Sequence, residues 1–99
     1  MSNLSKVLIS FSLLAMSITA NAQKIKVSGV VTDEAGETVI GATIMEKGTK
    51  SGTITDFDGN FMLDADQGAT LVISYVGYKT VLKKSQGNLG EVRLEAASQ

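Results

Sequence analysis

Asp56-Phe57-Asp58-Gly59-Asn60 comes nearest to a ligating constellation in this chain. Oxygen donors at alternate positions suit a calcium ion, but the helix-loop-helix calcium loop sets its glycine at the sixth position and a bidentate glutamate at the twelfth. Counting from Asp56, Gly59 falls fourth and Gln67 twelfth. The segment therefore reads as a hairpin turn. Asp58-Gly59 is expected to supply the two positive φ angles of a type I′ turn, with Asp and Asn side chains capping backbone groups. Two spaced carboxylate pairs, Asp56 with Asp58 and Asp64 with Asp66, have the residue types for acid–base work. A chain this small offers little cleft to shift one pKa of such a pair. Tyr75 and Tyr78 flank Val76-Gly77, and aromatics there are expected to pack around a strand break rather than form a binding stripe.

The chain has no histidine and no cysteine. That removes the commonest general base, the Ser-His-Asp triad, the usual zinc ligands and any disulfide. The expected set of catalytic, cofactor-binding and metal-ligating residues is empty: no enzyme and no cofactor are expected.

The elements around these residues begin with a targeting segment. Lys6 is the only charged residue of the first 22, Val7 to Met16 is apolar and broken only by serines, and Ala20-Asn21-Ala22 is an A-x-A pattern before Gln23. A basic start, a short apolar centre and small residues at −3 and −1 make a cleavable secretory signal over residues 1–22. A membrane-spanning helix needs about 20 mostly apolar residues, more than this run provides. With no Cys after the site, no lipid anchor is expected.

Residues 23–99 would remain, with eight basic and ten acidic side chains and a net charge of −2. Such a balance carries no electrostatic footprint for nucleic acid. Apolar residues recur with period two between glycines at Gly29, Gly36, Gly41, Gly48, Gly52, Gly59, Gly68 and Gly77, the pattern of short strands between turns. Seven strands are expected. They are Lys24–Val31 with Ile25 and Val27 on one face; Val39–Lys47 with Ile40, Ala42 and Ile44 facing the core; Gly52–Thr55; Asn60–Asp64 with Phe61 and Leu63 inward; Ala69–Val76, the most apolar and central; Tyr78–Lys84; and Leu89–Glu95. The fold class is all-β, a seven-stranded antiparallel Greek-key β-sandwich. The domain is expected over residues 23–95, with a tail over 96–99.

Four blocks carry a family resemblance. They are Val27-Ser28-Gly29-Val30-Val31-Thr32-Asp33-Glu34-Ala35-Gly36-Glu37; Gly41-Ala42-Thr43-Ile44 with Lys47-Gly48-Thr49; Gly52-Thr53-Ile54-Thr55-Asp56-Phe57-Asp58-Gly59-Asn60-Phe61; and Leu71-Val72-Ile73-Ser74-Tyr75-Val76-Gly77-Tyr78-Lys79-Thr80. Together they resemble the carboxypeptidase regulatory-like domain, a transthyretin-like sandwich. The style is that of the N-terminal extension of SusC/RagA-type TonB-linked outer-membrane transporters. The resemblance spans about residues 25–95.

It implies a non-enzymatic accessory domain in the periplasm, or at the periplasmic face of the outer membrane, of a system importing oligosaccharides or peptides. The implied partners are an outer-membrane transporter or a TonB-type energy-coupling protein, engaged through the exposed edges of a small sandwich. In that family a TonB-box-like segment, a plug and a barrel follow, whereas this sequence stops at Gln99. A truncated transporter, a fragment and a free-standing version stay open. The rival reading is a secreted structural or adhesive sandwich module.

Overall fold

Residues 23–97 are described in the computed structural model, and among them every regular element is a strand. The expected signal segment 1–22 and the last two residues of the expected tail lie outside the described residues. The strands are β1 (Lys24–Thr32), β2 (Thr43–Glu46), β3 (Gly52–Ile54), β4 (Asn60–Asp66), β5 (Thr70–Ser74), β6 (Val81–Lys84) and β7 (Asn88–Arg93). They form a three-stranded sheet in the order β4-β1-β7 and a four-stranded sheet in the order β3-β2-β5-β6. The connections β1→β2, β3→β4, β4→β5 and β6→β7 cross from one sheet to the other, the winding of a Greek-key sandwich.

Alternation drives this arrangement. In β4 exposed and buried residues take turns, with Phe61, Leu63 and Ala65 inward. β5 does the same with Leu71 and Ile73, and it lies between β2 and β6, the interior position its apolar composition predicts. Val27, Val31, Ile44, Val92 and Leu94 complete a core between the sheets, with Ile25, Tyr78, Val81 and Leu89 packed at its rim. The Phe61 ring lies across β1 over Gly29, where even a Cβ would come within 2.8 Å of it.

Each connection reverses the chain, so odd-numbered strands run one way and even-numbered strands the other. β1 and β7 are both odd, and they are neighbours. Their pairing is therefore parallel, whereas β1–β4, β2–β3, β2–β5 and β5–β6 are antiparallel as expected.

Three local expectations are corrected. The second strand starts at Thr43, not Val39, because Gly41 takes φ +81° and breaks the extended backbone. The alternation running back from Ile44 and Ala42 therefore fails at Ile40, which is half exposed instead of core. The Asp58-Gly59 turn is not type I′: Gly59 has φ +77° but no non-glycine residue among the described residues has positive φ. It need not be a hairpin turn, because β3 and β4, which it joins, belong to different sheets. The sixth strand begins at Val81; Tyr78 makes only an isolated bridge to Ala96.

Glu46 is a polar residue on the inner face of β2, 3% exposed. Its Oε1 has no hydrogen-bond partner, and Lys24 Nζ stands 4.0 Å away while also lying 3.5 Å from Asp66. A buried carboxylate so loosely paired costs more in desolvation than it regains. Replacing Glu46 by methionine keeps the volume and leaves Lys24 with Asp66. Thermal unfolding of Glu46→Met should show unchanged or higher stability, by up to about 1–4 kcal/mol, instead of the loss usual for a buried substitution.

Candidate interaction surface

The two ends of the sandwich differ. β1, β3, β5 and β7 end, and β2, β4 and β6 begin, at what we term the carboxyl pole, where the chain also leaves β7. The amino pole lies opposite, at the start of β1.

Two copies of one turn shape the carboxyl pole. Asp33 Oδ1 accepts from the amides of Ala35 (2.9 Å) and Glu37 (3.0 Å), Gly36 N–H donates to Asp33 O (3.0 Å), and Asp33 N–H to Glu37 O (2.8 Å). Asp56 repeats the set: its Oδ1 accepts from Asp58 and Asn60 (both 2.9 Å), Gly59 N–H donates to Asp56 O (3.0 Å), and Asp56 N–H to Asn60 O (3.0 Å). Both are type I turns closed by a glycine of positive φ, at +83° and +77°. The two turns touch: a Cβ on Gly59 would meet Thr38 Cβ at 2.8 Å and Val31 O at 2.9 Å. The Asp56 oxygen that looked like a metal ligand is thus committed to the backbone. Among the described residues no group of three or more His, Cys, Asp or Glu side chains is placed to hold a metal ion.

Thr55, 2% exposed, fixes the third loop. Its Oγ1 donates to Val39 O (2.6 Å) and accepts from Ala42 N–H (2.9 Å), while its own N–H donates to Ala42 O (2.9 Å) and its carbonyl accepts from Gly41 N–H (3.2 Å). These four bonds hold residues 39–42 in the bend that turns Ile40 outward.

The result is an apolar cluster. Of the seven large hydrophobic residues exposed in the described chain, five sit here: Ile40, Ile54, Phe57, Tyr75 and Val76, with the turn residues Phe57 and Val76 at 85% and 91% exposure. Ile40, Ile54 and Phe57 line a groove of about 380 Å³; Gly41 joins it to a second one lined by Tyr75 and Val76. Of the two tyrosines expected to pack around the strand break, only one does so. Tyr78 packs against the core, and Tyr75, its ring 6.1 Å away, is 40% exposed on the surface. Sequence reasoning assigned Ile40 to the core and gave Phe57 and Val76 no role. The available signal was a bulky apolar residue inside a turn.

Charge is also divided. At the carboxyl pole stand Asp33, Glu34, Glu37, Asp56, Asp58, Glu91 and Glu95 against Lys79 and Arg93, a net charge of −5. At the amino pole stand Lys24, Lys26, Lys47, Lys50, Lys83 and Lys84 against Glu46, Asp64 and Asp66, a net charge of +3. Glu91 accepts from Thr32 Oγ1 at 2.7 Å and lies 3.4 Å from Arg93 Nη2; the Thr32 hydrogen bond first, then the Arg93 charge, hold its carboxyl below the usual glutamate range.

The described residues thus form a two-sheet sandwich with an exposed apolar cluster at one end. Residues 27–99 match the CarboxypepD_reg-like domain, and the chain belongs to that family. It is similar to the TonB-dependent receptor SusC of Bacteroides thetaiotaomicron, 58% identical over 64 residues, which are 65% of this chain and 6% of the receptor. A TonB-dependent receptor of Formosa agariphila is 44% identical over 61 residues, 61% of this chain and again 6% of the relative. The chain thus spans a small fraction of the receptors it matches. Among solved structures, a cohesin–X-dockerin complex of Acetivibrio cellulolyticus superposes with a TM-score of 0.61 at 21% identity, over 72% of this chain and 57% of that one. That likeness concerns the fold alone.

Two predictions follow from the geometry. Thr55→Val keeps the shape but strips partners from Ala42 N–H and Val39 O. It should cost about 1–3 kcal/mol in chemical denaturation, most of it recovered in Thr55→Ser. Glu91 has a lowered folded pKa, so its stabilising effect is full above the ordinary glutamate range and fades as pH falls through the folded value. The stability gap between wild type and Glu91→Gln should accordingly be widest near neutrality and close in acid, as read by denaturation at a series of pH values.

Proposed function

We propose that the chain is a non-enzymatic accessory domain of a TonB-linked outer-membrane uptake system for oligosaccharides or peptides. It is exported through a signal cleaved after Ala22 and folds over residues 23–95 in the periplasm, with 96–99 as a tail. Its work is protein–protein contact, with an outer-membrane transporter or a TonB-type energy-coupling protein as partner. The observation that carries this reading is the 58% identity to SusC across most of the domain. Two features support it. Asp56, which drew attention as a ligating or acid–base candidate, has its Oδ1 used by the backbone amides of Asp58 and Asn60. The largest unspent feature is an exposed apolar end, which suits contact better than chemistry.

The test is fractionation of cells producing the chain with a C-terminal tag, followed by N-terminal sequencing and reciprocal pull-down. We expect a product beginning at Gln23 in the periplasmic or outer-membrane fraction, recovered with a TonB-dependent receptor or an energy-coupling protein. A product that keeps Met1 in the cytoplasm, or an exported one that recovers neither partner, overturns the proposal.

A further inference from the structure

We propose that the carboxyl pole is a docking surface for an extended segment of another protein, one carrying aliphatic or aromatic side chains flanked by lysine or arginine. This names the surface and the partner chemistry for the interaction role proposed above, and rests on that role.

The apolar half of the specification comes from the cluster itself. Five bulky side chains stand exposed at one end of the sandwich, and two further ones, Met62 in β4 and Leu82 in β6, line neither groove. Scattered exposed hydrophobics are normal on a protein surface, whereas a contiguous patch marks an interaction site. The patch is also held in place. Thr55 fixes the loop bearing Ile40, and the Asp56 turn fixes the backbone on both sides of Phe57. A preformed surface loses less conformational freedom on binding than a mobile one.

The charged half comes from the surrounding acids. Asp56 and Asp58 flank Phe57 directly, and Asp33 lines the depression shared by Ile40 and Tyr75. With a net charge of −5 at this pole, cationic flanks on the incoming segment are attracted and acidic flanks repelled. The same charge argues against a second copy as occupant. Two carboxyl poles face to face would set −5 against −5, and a carboxyl pole meeting an amino pole is a head-to-tail contact, which cannot form a closed two-fold dimer. The positive amino pole adds an orienting effect, turning the carboxyl pole toward a basic partner during approach.

The experiment is a titration of the isotope-labelled, exported chain with two synthetic octapeptides sharing a Val-Phe-Ile-Val centre, one flanked by lysine pairs and one by glutamate pairs. The backbone amide resonances report the site. The lysine-flanked peptide should shift the amides of Gly41, Phe57 and Val76, leave those of Lys47 and Lys84 in place, and bind at least about tenfold tighter than its glutamate-flanked twin. Its affinity should fall several-fold between about 50 and about 500 mM salt. A Phe57→Ser, Val76→Ser double variant should weaken binding at least about tenfold with an unchanged amide spectrum elsewhere, because both side chains already face solvent.

Equal affinity for the two peptides, no binding of either, or shifts confined to the amino pole overturns the proposal. So do concentration-dependent shifts of the same amides without peptide, which would make a second copy the occupant. Failure here with correct export and partner recovery would reject this surface and keep the proposed role; success here with failed recovery would do the reverse.

Discussion

The three-stranded sheet exists because of β1. This nine-residue strand is its middle member, pairing with β4 along one edge and β7 along the other, and β4 and β7 do not touch in that sheet. It thereby joins the first described strand to the last and closes the sandwich over Val27, Val31 and Val92. A chain of this size with no cysteine has no covalent alternative to such packing. The parallel β1–β7 contact is further secured where the two strands end, by Thr32 Oγ1 donating to Glu91 and by Leu94 N–H donating to Thr32 O at 2.8 Å.

From the end of β1 the order of the carboxyl pole follows. Val31 N–H donates to Gly59 O and Val39 N–H to Val31 O, so one strand residue anchors both the Asp56 turn and the loop entering β2. Thr55 then ties that loop to the end of β3. The backbone polar groups of the pole are largely spent on one another and on Asp33, Asp56 and Thr55, and Ile40 and Phe57 face outward among exposed acids. Polar satisfaction inside and apolar exposure outside are two consequences of one network: the bends that let each amide find an acceptor also turn Ile40 and Phe57 toward solvent.

Family membership and this end-to-end asymmetry address different questions. Membership in the CarboxypepD_reg-like domains fixes the kind of module and its receptor relatives. It does not say which face works. The separation of −5 at one pole from +3 at the other, with the apolar cluster confined to the negative end, gives the sandwich a direction that its overall charge of −2 conceals.

What the sequence determined by itself was local. Period-two alternation located all seven strands, placed Ala42, Ile44, Phe61 and Leu63 in the core and put β5 inside its sheet, because a strand's side chains alternate whatever its neighbours are. The four spaced blocks identified the family for the same reason, being turns and core positions that the fold needs. What only the tertiary structure decided was adjacency. That β1 lies beside β7, that the Asp58-Gly59 turn bridges two sheets instead of closing a hairpin, and that Glu46 is enclosed while Ile40 is not all depend on contacts between distant segments. The left-handed bend at Gly41 reversed the expected direction of Ile40, since one positive φ interrupts the alternation on which that expectation rested. The polarity of the molecule was hidden likewise. Acids and lysines interleave along the chain, and only its folding back and forth gathers each sign at its own end.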